Sequence, residues 1–194
     1  MPLLGITGGI GMGKSTAAGI LVSMGIPVVD TDQLAREVTR PGSLALGEIQ
    51  SRLGSDFVDA SGVLDRARLA ALVFADSEKR RILEEILHPL IALRWQAATS
   101  GWRNQGATGA VIIPLLFEKA YESQFDSVIC VACSAVSQQR RLEARGWSPE
   151  EIEGRKSAQL PVGEKIARSR VMIWTEGSME SHRAQWDRVL GSRV

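Results

Sequence analysis

Short apolar runs alternate with helix-forming segments along most of the chain. Apolar runs at 3–6, 26–30, 110–113 and 128–133 predict strands, and a weaker run at 171–174 predicts one more. Uninterrupted hydrophobicity, rather than a two-residue alternation, is typical of parallel strands that are buried on both faces. Because helices between such strands imply right-handed crossovers, the pattern predicts a three-layer α/β fold with a parallel sheet of about five strands.

The helical segments are separated by residues that break regular structure. The first helix is predicted from Lys14 to Met24, before Gly25, and a closing helix is predicted over 178–189. Between 43 and 106 the pattern is almost wholly helical, and we expect a helical insertion that covers the site. Its predicted breaks are Gly54, Gly62, Pro89 and Gly101.

Length and composition are those of one soluble domain. Of the 194 residues, 44% are hydrophobic and 23% are charged, and no apolar run approaches the roughly 20 residues that a membrane span needs. We therefore expect a single domain over 1–194. Its expected parts are a core of about 1–40, 107–136 and 165–194, a helical insertion of about 43–106 and a helical lid of about 137–164.

Charge and cysteine content restrict the partners and the compartment. The net charge of +1 gives no general field that would gather nucleic acid, so any anion site must be local. Cys130 and Cys133 form a CxxC pair, which in other contexts indicates redox or zinc chemistry. Here they lie in a buried apolar run, and we interpret them as structural. Reduced thiols and an N-terminus without a secretion signal favour a cytoplasmic protein without membrane partners.

A glycine-rich loop follows the first predicted strand and precedes the first helix. Residues 8–15 match the pattern GxxxxGK[ST], whose glycines let successive backbone N–H groups face a phosphate chain. Lys14 would place its ammonium against the β and γ phosphates, and the Ser15 hydroxyl would bind Mg²⁺. A dinucleotide fold is excluded because its GxGxxG pattern, begun at Gly9, needs glycine in place of Lys14. The residues predicted to bind ATP in this loop are Gly9, Gly11, Met12, Gly13, Lys14, Ser15 and Thr16.

Other residues decide whether the loop serves a kinase or a switch. The guanine-reading NKxD pattern of GTPases is absent, and the DxxG at 59–62 follows no clear strand. Asp30 and Asp32 end the second predicted strand, where a carboxylate can take the proton of an attacking hydroxyl and help to arrange Mg²⁺. An alternative role for either aspartate is to cap the next helix. Together these features favour a kinase.

An arginine-rich helical face predicts cations near the transferred phosphate. Gln138, Arg141, Leu142 and Arg145 share one face of a predicted helix, and no acid occupies the stripe of the two arginines. Such a face is often only solvated surface. Because phosphoryl transfer needs cations to neutralise transition-state charge, we interpret the segment as part of a lid that excludes water.

Further blocks, spread over nearly the whole chain, narrow the class of kinase. The most specific are His-Pro-Leu-Ile at 88–91 and Pro-Leu-Leu-Phe-Glu at 114–118. With the loop, they resemble the dephospho-coenzyme A kinase family, which uses ATP to phosphorylate the ribose 3′-hydroxyl of dephospho-CoA. The other matching positions are 4–16, 29–32 with Arg36, 41–42, the Gln138, Arg141, Leu142 and Arg145 pattern, and 150–151 with Arg155 and Gln159.

The resemblance implies roles for individual residues. The helical insertion would bind the acceptor dephospho-CoA, and the lid would close over ATP. The implied residues are, for catalysis, Asp32, Lys14 and Arg141; for the nucleotide in the lid, Arg141 and Arg145; for the acceptor, Asp32, Arg36, His88, Pro114 and Leu115; and for Mg²⁺, Ser15 and Asp32.

Two departures from the family pattern concern the nucleotide. Met12 replaces the usual serine, at a position that supplies mainly backbone, and Thr175 stands where the family usually has asparagine. The adenine contacts near Thr175 therefore cannot be carried over from the family. The alternatives are another P-loop kinase of small metabolites, resembling shikimate or nucleoside monophosphate kinases, and a nucleotide-dependent regulatory protein. We expect a monomer or a weak homo-oligomer.

Overall fold

The computed structural model describes residues 2–191 of the chain. Its strands are β1 (Leu3–Thr7), β2 (Val28–Asp30), β3 (Gly109–Ile112), β4 (Ser127–Ala132) and β5 (Val171–Trp174). Its helices are α1 (Lys14–Ser23), α2 (Thr31–Val38), α3 (Leu44–Leu53), α4 (Arg66–Ala75), α5 (Ser77–Asn104), α6 (Ala135–Glu143), α7 (Pro149–Ser157), α8 (Val162–Arg168) and α9 (Met179–Gly191), with a short 3-10 helix at Glu122–Gln124. None of the helices in this range combines the length and hydropathy needed to cross a membrane.

The five described strands form one parallel sheet in the order β2-β3-β1-β4-β5. β1 lies at the centre, where Ile6 pairs with Ile112 on one side and with Ile129 on the other. Because all strands run in the same direction, their carboxyl ends share one edge, which is the edge where such sheets bind ligands. The predicted α/β fold with a parallel sheet of about five strands is confirmed.

Both faces of the three inner strands, β1, β3 and β4, are buried. On one face, Leu4 and Ile6 pack in a cluster with α1 and α9 that includes Trp186, and all three side chains are fully inaccessible to solvent. On the other face, a Cβ added to Gly5 would lie 2.8 Å from the ring of Phe125. Burial on both sides explains why the strands are continuously apolar rather than alternating.

The chain divides into two compact units. The first comprises the described residues up to Asp30 and from Thr99 onward, so it contains the sheet. The second, from Thr31 to Ala98, is helical apart from an antiparallel bridge between Val58 and Leu64. Its own core contains Ala45, Leu46, Ile49, Phe57, Leu64, Leu69 and Ile86. The assignment of an acceptor-binding insertion and a lid stays a prediction.

Two of the predicted helix breaks are wrong. α5 runs for 28 residues through both Pro89 and Gly101. A proline inside a helix loses a backbone hydrogen bond and crowds the preceding turn, and glycine is a poor helix former. Packing offsets these costs, because Ile86 and Trp95, before and after the proline, are only 3% and 2% exposed.

Candidate functional site

The loop between β1 and α1 depends on glycine at two positions. Gly8 has a φ of 147° and Gly11 a φ of 74°, in the region that residues with a side chain rarely adopt. A Cβ on Gly8 would lie 2.2 Å from the carbonyl oxygen of Val131, and one on Gly11 would lie 2.9 Å from the side chain of Leu142. The loop is therefore held closely between β4 and α6.

Lys14, the first residue of α1, is held against this loop. Its Nζ donates to the carbonyl oxygens of Gly8 and Gly9, at 2.9 Å in both cases. Ser15 and Thr16 follow in the first turn and are exposed. The loop thus combines the positive end of a helix dipole with an ammonium group and two hydroxyl groups, which suits a phosphate anion.

Two glutamine side chains hold the backbone of Ile10 in the loop. Gln138 in α6 donates from Nε2 to the Ile10 carbonyl at 2.7 Å, and Oε1 of Gln159, just after α7, accepts from the Ile10 N–H at 3.0 Å. Both backbone groups of Ile10 are therefore satisfied, and the loop keeps its shape without regular secondary structure. The sequence analysis placed both glutamines in the predicted lid and in the family pattern, but it did not predict their contacts with the loop.

Arg141 is joined to the loop through Thr175, the residue after β5. Its Nη1 donates to Thr175 Oγ1 at 2.9 Å, and its Nη2 donates to the Thr175 carbonyl at 2.7 Å. The same hydroxyl donates to the Met12 carbonyl at 3.1 Å. The guanidinium therefore lies beside the loop, where its charge and its planar set of donors suit phosphate oxygens.

A cavity of about 410 Å³ lies beside the loop, on the side of Arg141. Its walls include Gly13, Thr16, Arg141, Arg145, Thr175 and His182. The volume is within the range of small-ligand pockets. His182 is 3% exposed, and its burial, followed by the nearby Arg141 charge, lowers the pKa of the imidazole. The ring is therefore neutral near pH 7, and the cations of this cavity are the two arginines.

Pro114 and Leu115 closely follow β3 at the same edge of the sheet. The Pro114 carbonyl accepts from Thr7 Oγ1 at 3.3 Å and from Nζ of Lys165 at 2.6 Å. Lys165 is fully buried and pairs with Glu118 at 2.7 Å. The structure thus links Pro114, which is predicted to bind the acceptor, to the end of β1. Nothing in the local sequence pattern pointed to Lys165.

The remaining predicted site residues belong to the second unit. Helix α2 begins directly after the last residue of β2. Asp32 is exposed in the first turn of α2, and Arg36 lies in its last turn. The Arg36 carbonyl accepts from Nη2 of Arg66 at 3.2 Å. His88 is half-buried in α5, immediately before Pro89. The role of Asp32 as a base, and the roles of Arg36 and His88 in binding the acceptor, stay predictions.

The predicted magnesium ligands are oxygen donors. Within residues 2–191 no group of three or more His, Cys, Asp or Glu side chains could hold a metal ion. Mg²⁺ in nucleotide sites usually takes one or two protein oxygens and completes its shell with phosphate oxygens and water. The exposed hydroxyl of Ser15 at the start of α1 is a ligand of this kind.

The two cysteines are buried and free. Burial raises the pKa of the Cys130 thiol to about 11, although Lys165 and Lys14 oppose the shift. The thiol is therefore protonated at physiological pH and unsuited to redox exchange or metal binding. This agrees with the interpretation of the two cysteines as structural, although only Cys130 lies in β4 and Cys133 follows its last residue.

A parallel sheet with a glycine loop between its central strand and first helix, with a lysine and an arginine beside the loop, is typical of the P-loop proteins that bind nucleotide phosphates, the class that includes the P-loop kinases. The family model described as dephospho-CoA kinase matches residues 2–181. The chain belongs to the dephospho-CoA kinase family, as the resemblance of its sequence blocks predicted.

Relatives cover nearly the whole chain. Dephospho-CoA kinase of Bdellovibrio bacteriovorus is 39% identical over 191 residues, which span 98% of this chain and 95% of the relative. A crystal structure from Thermus thermophilus is 37% identical with a TM-score of 0.82, covering 99% of this chain and 97% of its own. Dephospho-CoA kinase from Campylobacter jejuni is 26% identical with a TM-score of 0.71, covering 97% and 95%.

Proposed function

We propose that this chain transfers the γ-phosphoryl group of ATP to the ribose 3′-hydroxyl of dephospho-CoA, giving coenzyme A and ADP. The observation that carries the proposal is a phosphate loop that is held by hydrogen bonds and has Arg141 beside it, in a chain of the dephospho-CoA kinase family. The phosphate loop supports the assignment of ATP as the phosphoryl donor, and membership of the family supports the assignment of dephospho-CoA as the acceptor.

The first unit acts on the donor. Backbone N–H groups of the loop and Nζ of Lys14 bind the β and γ phosphates, while Arg141 neutralises charge that develops on the transferred group. The nucleoside occupies the cavity that Arg141 and His182 line. Because hydrogen bonds already hold the loop and the arginine, these groups need little rearrangement when the phosphoryl group moves.

Asp32 is the proposed base for the acceptor. Its carboxylate takes the proton of the 3′-hydroxyl while the hydroxyl oxygen bonds to the γ phosphorus, and the bond to the β–γ bridging oxygen breaks to release ADP. Such assistance is typically worth about 10²–10⁴ in rate. Arg36, His88, Pro114 and Leu115 bind dephospho-CoA in this proposal.

The Ser15 hydroxyl and the Asp32 carboxylate are the proposed protein ligands of Mg²⁺. Both are hard oxygen donors of the type this ion prefers. When bound, the ion neutralises part of the phosphate charge.

The segments around the site have proposed roles as well. Residues 137–164 form a lid over ATP, supported by the contacts of Gln138 and Gln159, near its two ends, with Ile10. Residues 43–106 form the acceptor-binding insertion. We place the enzyme in the cytoplasm because its two free thiols suit a reducing compartment. Its proposed state is a monomer or a weak homo-oligomer.

Substrate turnover tests the proposal. With Mg²⁺ and ATP, the purified protein should phosphorylate dephospho-CoA far faster than shikimate or a nucleoside monophosphate, measured by ADP release and by the mass of the product. The Lys14→Met variant, with the same fold by circular dichroism, should lose turnover of every acceptor. A preference for another acceptor would reject dephospho-CoA as the substrate and retain the kinase class.

A further inference from the structure

Lys165 in α8 is buried so deeply that none of its side chain is exposed. Its Nζ donates to the Pro114 carbonyl at 2.6 Å and forms an ion pair with Oε1 of Glu118 at 2.7 Å. The Glu118 side chain is itself only 15% exposed. Desolvating two such ions costs several kcal/mol each, and apolar residues of similar volume often stabilise a fold as well or better. Stability alone therefore does not explain the pair.

Glu118 joins three segments of the chain. Its Oε1 accepts from Lys165 in α8 and from the Leu160 N–H, between α7 and α8, at 2.8 Å. Its Oε2 is buried without a hydrogen-bond partner among residues 2–191. One carboxylate oxygen thus binds two donors, one just before α8 and one in its first turn. Glu118 therefore fixes the segment after β3 against the start of α8.

Both ends of this set of contacts reach the phosphate loop. The Pro114 carbonyl also accepts from Oγ1 of Thr7, the last residue before the loop. Gln159, which precedes Leu160, accepts from the Ile10 N–H in the loop. The buried pair therefore connects segment 114–118 with the start and the middle of the loop.

We propose that Lys165 and Glu118 are positioning residues that set Pro114 and Leu115 relative to the phosphate loop and so align the acceptor with the γ phosphate. The inference rests on the proposed function, in which Pro114 and Leu115 bind dephospho-CoA. Neither charged group touches a reactant, because both act through the Pro114 carbonyl and the Leu160 N–H. Misalignment by about 1 Å can cost about 100-fold in rate. The effect should therefore fall on acceptor kinetics, separately from stability.

Two variants separate alignment from stability. Glu118→Asp keeps both charges but withdraws the carboxylate by one methylene, so that it cannot reach Lys165 and the Leu160 N–H together. The double variant Lys165→Met/Glu118→Gln removes both charges at once and leaves no unpaired buried ion. For the double variant we expect melting near that of wild type, and for Glu118→Asp a lower melting temperature, because the buried Lys165 is then incompletely paired. For both variants, kcat/KM for dephospho-CoA, measured well below the melting temperature, should fall about tenfold or more. The Kd for ATP, measured by calorimetry, should change less than about twofold because the loop keeps its glutamine contacts.

The matched control is Glu122→Gln. Glu122 forms an exposed ion pair of 2.6 Å with Arg168, which lies in α8 like Lys165. Removing the charge of Glu122 should leave the kinetics unchanged. Acceptor kinetics like wild type in Glu118→Asp, or an equal loss of acceptor turnover and ATP affinity, would reduce the pair to a structural role. Glu118→Asp decides the question if the double variant does not fold. Wild-type turnover is measured first: its absence rejects the proposed function, whereas normal turnover with unaffected variants rejects only the positioning role.

Discussion

Replacing Thr175 with valine removes the hydroxyl that links Arg141 to the phosphate loop and should weaken ATP binding. Thr175 is only 8% exposed. Its Oγ1 accepts from Nη1 of Arg141 at 2.9 Å and donates to the Met12 carbonyl at 3.1 Å. Valine has nearly the same shape, so the change acts mainly by removing the hydrogen bonds of the hydroxyl rather than by opening a cavity.

The expected magnitude follows from these two bonds. A hydrogen bond to a charged group contributes about 1.5–3 kcal/mol, and one between neutral groups about 0.5–1.5 kcal/mol. Arg141 keeps its second bond, from Nη2 to the Thr175 carbonyl at 2.7 Å. We therefore expect the free energy of unfolding to fall by about 1–3 kcal/mol. The Kd for ATP should rise about tenfold, which corresponds to about 1.4 kcal/mol, because Arg141 is less well held beside the loop.

Calorimetric titration with Mg²⁺-ATP measures the affinity, and urea unfolding measures the stability. Thr175→Ser is the matched control, since it keeps the hydroxyl and should bind ATP within about twofold of wild type. Wild-type affinity in the valine variant would refute the reasoning. An equal loss of affinity in the serine variant would do so as well, because the hydroxyl would then make no separate contribution.

Three further changes test other parts of the molecule. Asp32→Asn should leave the Kd for ATP nearly unchanged and lower kcat at least about 100-fold, or about 2.7 kcal/mol of barrier; an unchanged kcat would remove Asp32 as the base. Hydrogen bonds, above all from the Ser134 hydroxyl, lower the pKa of Glu176 to about 2. The stability that the ionised Glu176 carboxylate gives the folded state is therefore complete above the unfolded pKa of 4.5 and is lost as the pH falls towards 2. Urea unfolding across this range should show a steeper loss for wild type than for Glu176→Gln, and parallel curves would contradict the assignment. Pro89→Ala should restore a backbone hydrogen bond in α5 and raise the free energy of unfolding by about 1–2 kcal/mol, measured by the same method; a decrease would show that the helix accommodates the proline without cost.

β1, β3 and β4 could be predicted because burial on both faces marks each of them locally, whereas β2 and β5 are only partly buried. The predicted run at 171–174 coincides with β5, whereas the runs at 110–113 and 128–133 each begin and end one residue later than β3 and β4. Ile113 and Cys133, just past the strand ends, are each 4% exposed. Hydrophobicity reports burial rather than pairing, so the apolar pattern continues beyond the last residue of the strand.

The helix through Pro89 could not be predicted in this way. Proline is a valid local signal for a break. The packing that outweighs it involves Ile86 together with Ile49 and Phe57, which are more distant along the chain and belong to the same cluster. A local pattern does not show which distant side chains will surround a helix.

The candidate site shows the same division between local and distant information. The loop is contiguous, and its motif was therefore visible from sequence. Its supports are not contiguous: Thr175 bonds to a carbonyl 163 residues away, Gln138 to one 128 residues away, and Gln159 to an N–H 149 residues away. Arginine spacing indicated Arg141 only because charge on a helix face is a local feature.

The order of the strands explains why these distant residues meet. Under the proposed function, it also separates the segments that would bind the two substrates. β1 and its loop lie in the middle of the sheet, with β4 and β5 on one side and β3 and β2 on the other. The segments after β4 and β5 supply Gln138, which holds the loop, and Arg141 and Thr175, which lie beside the loop and line the cavity that is proposed to bind the nucleoside. The segment after β3 supplies Pro114 and Leu115, which are proposed to bind the acceptor. Replacing only the segments after β3 and β2 should therefore change the acceptor and preserve ATP binding.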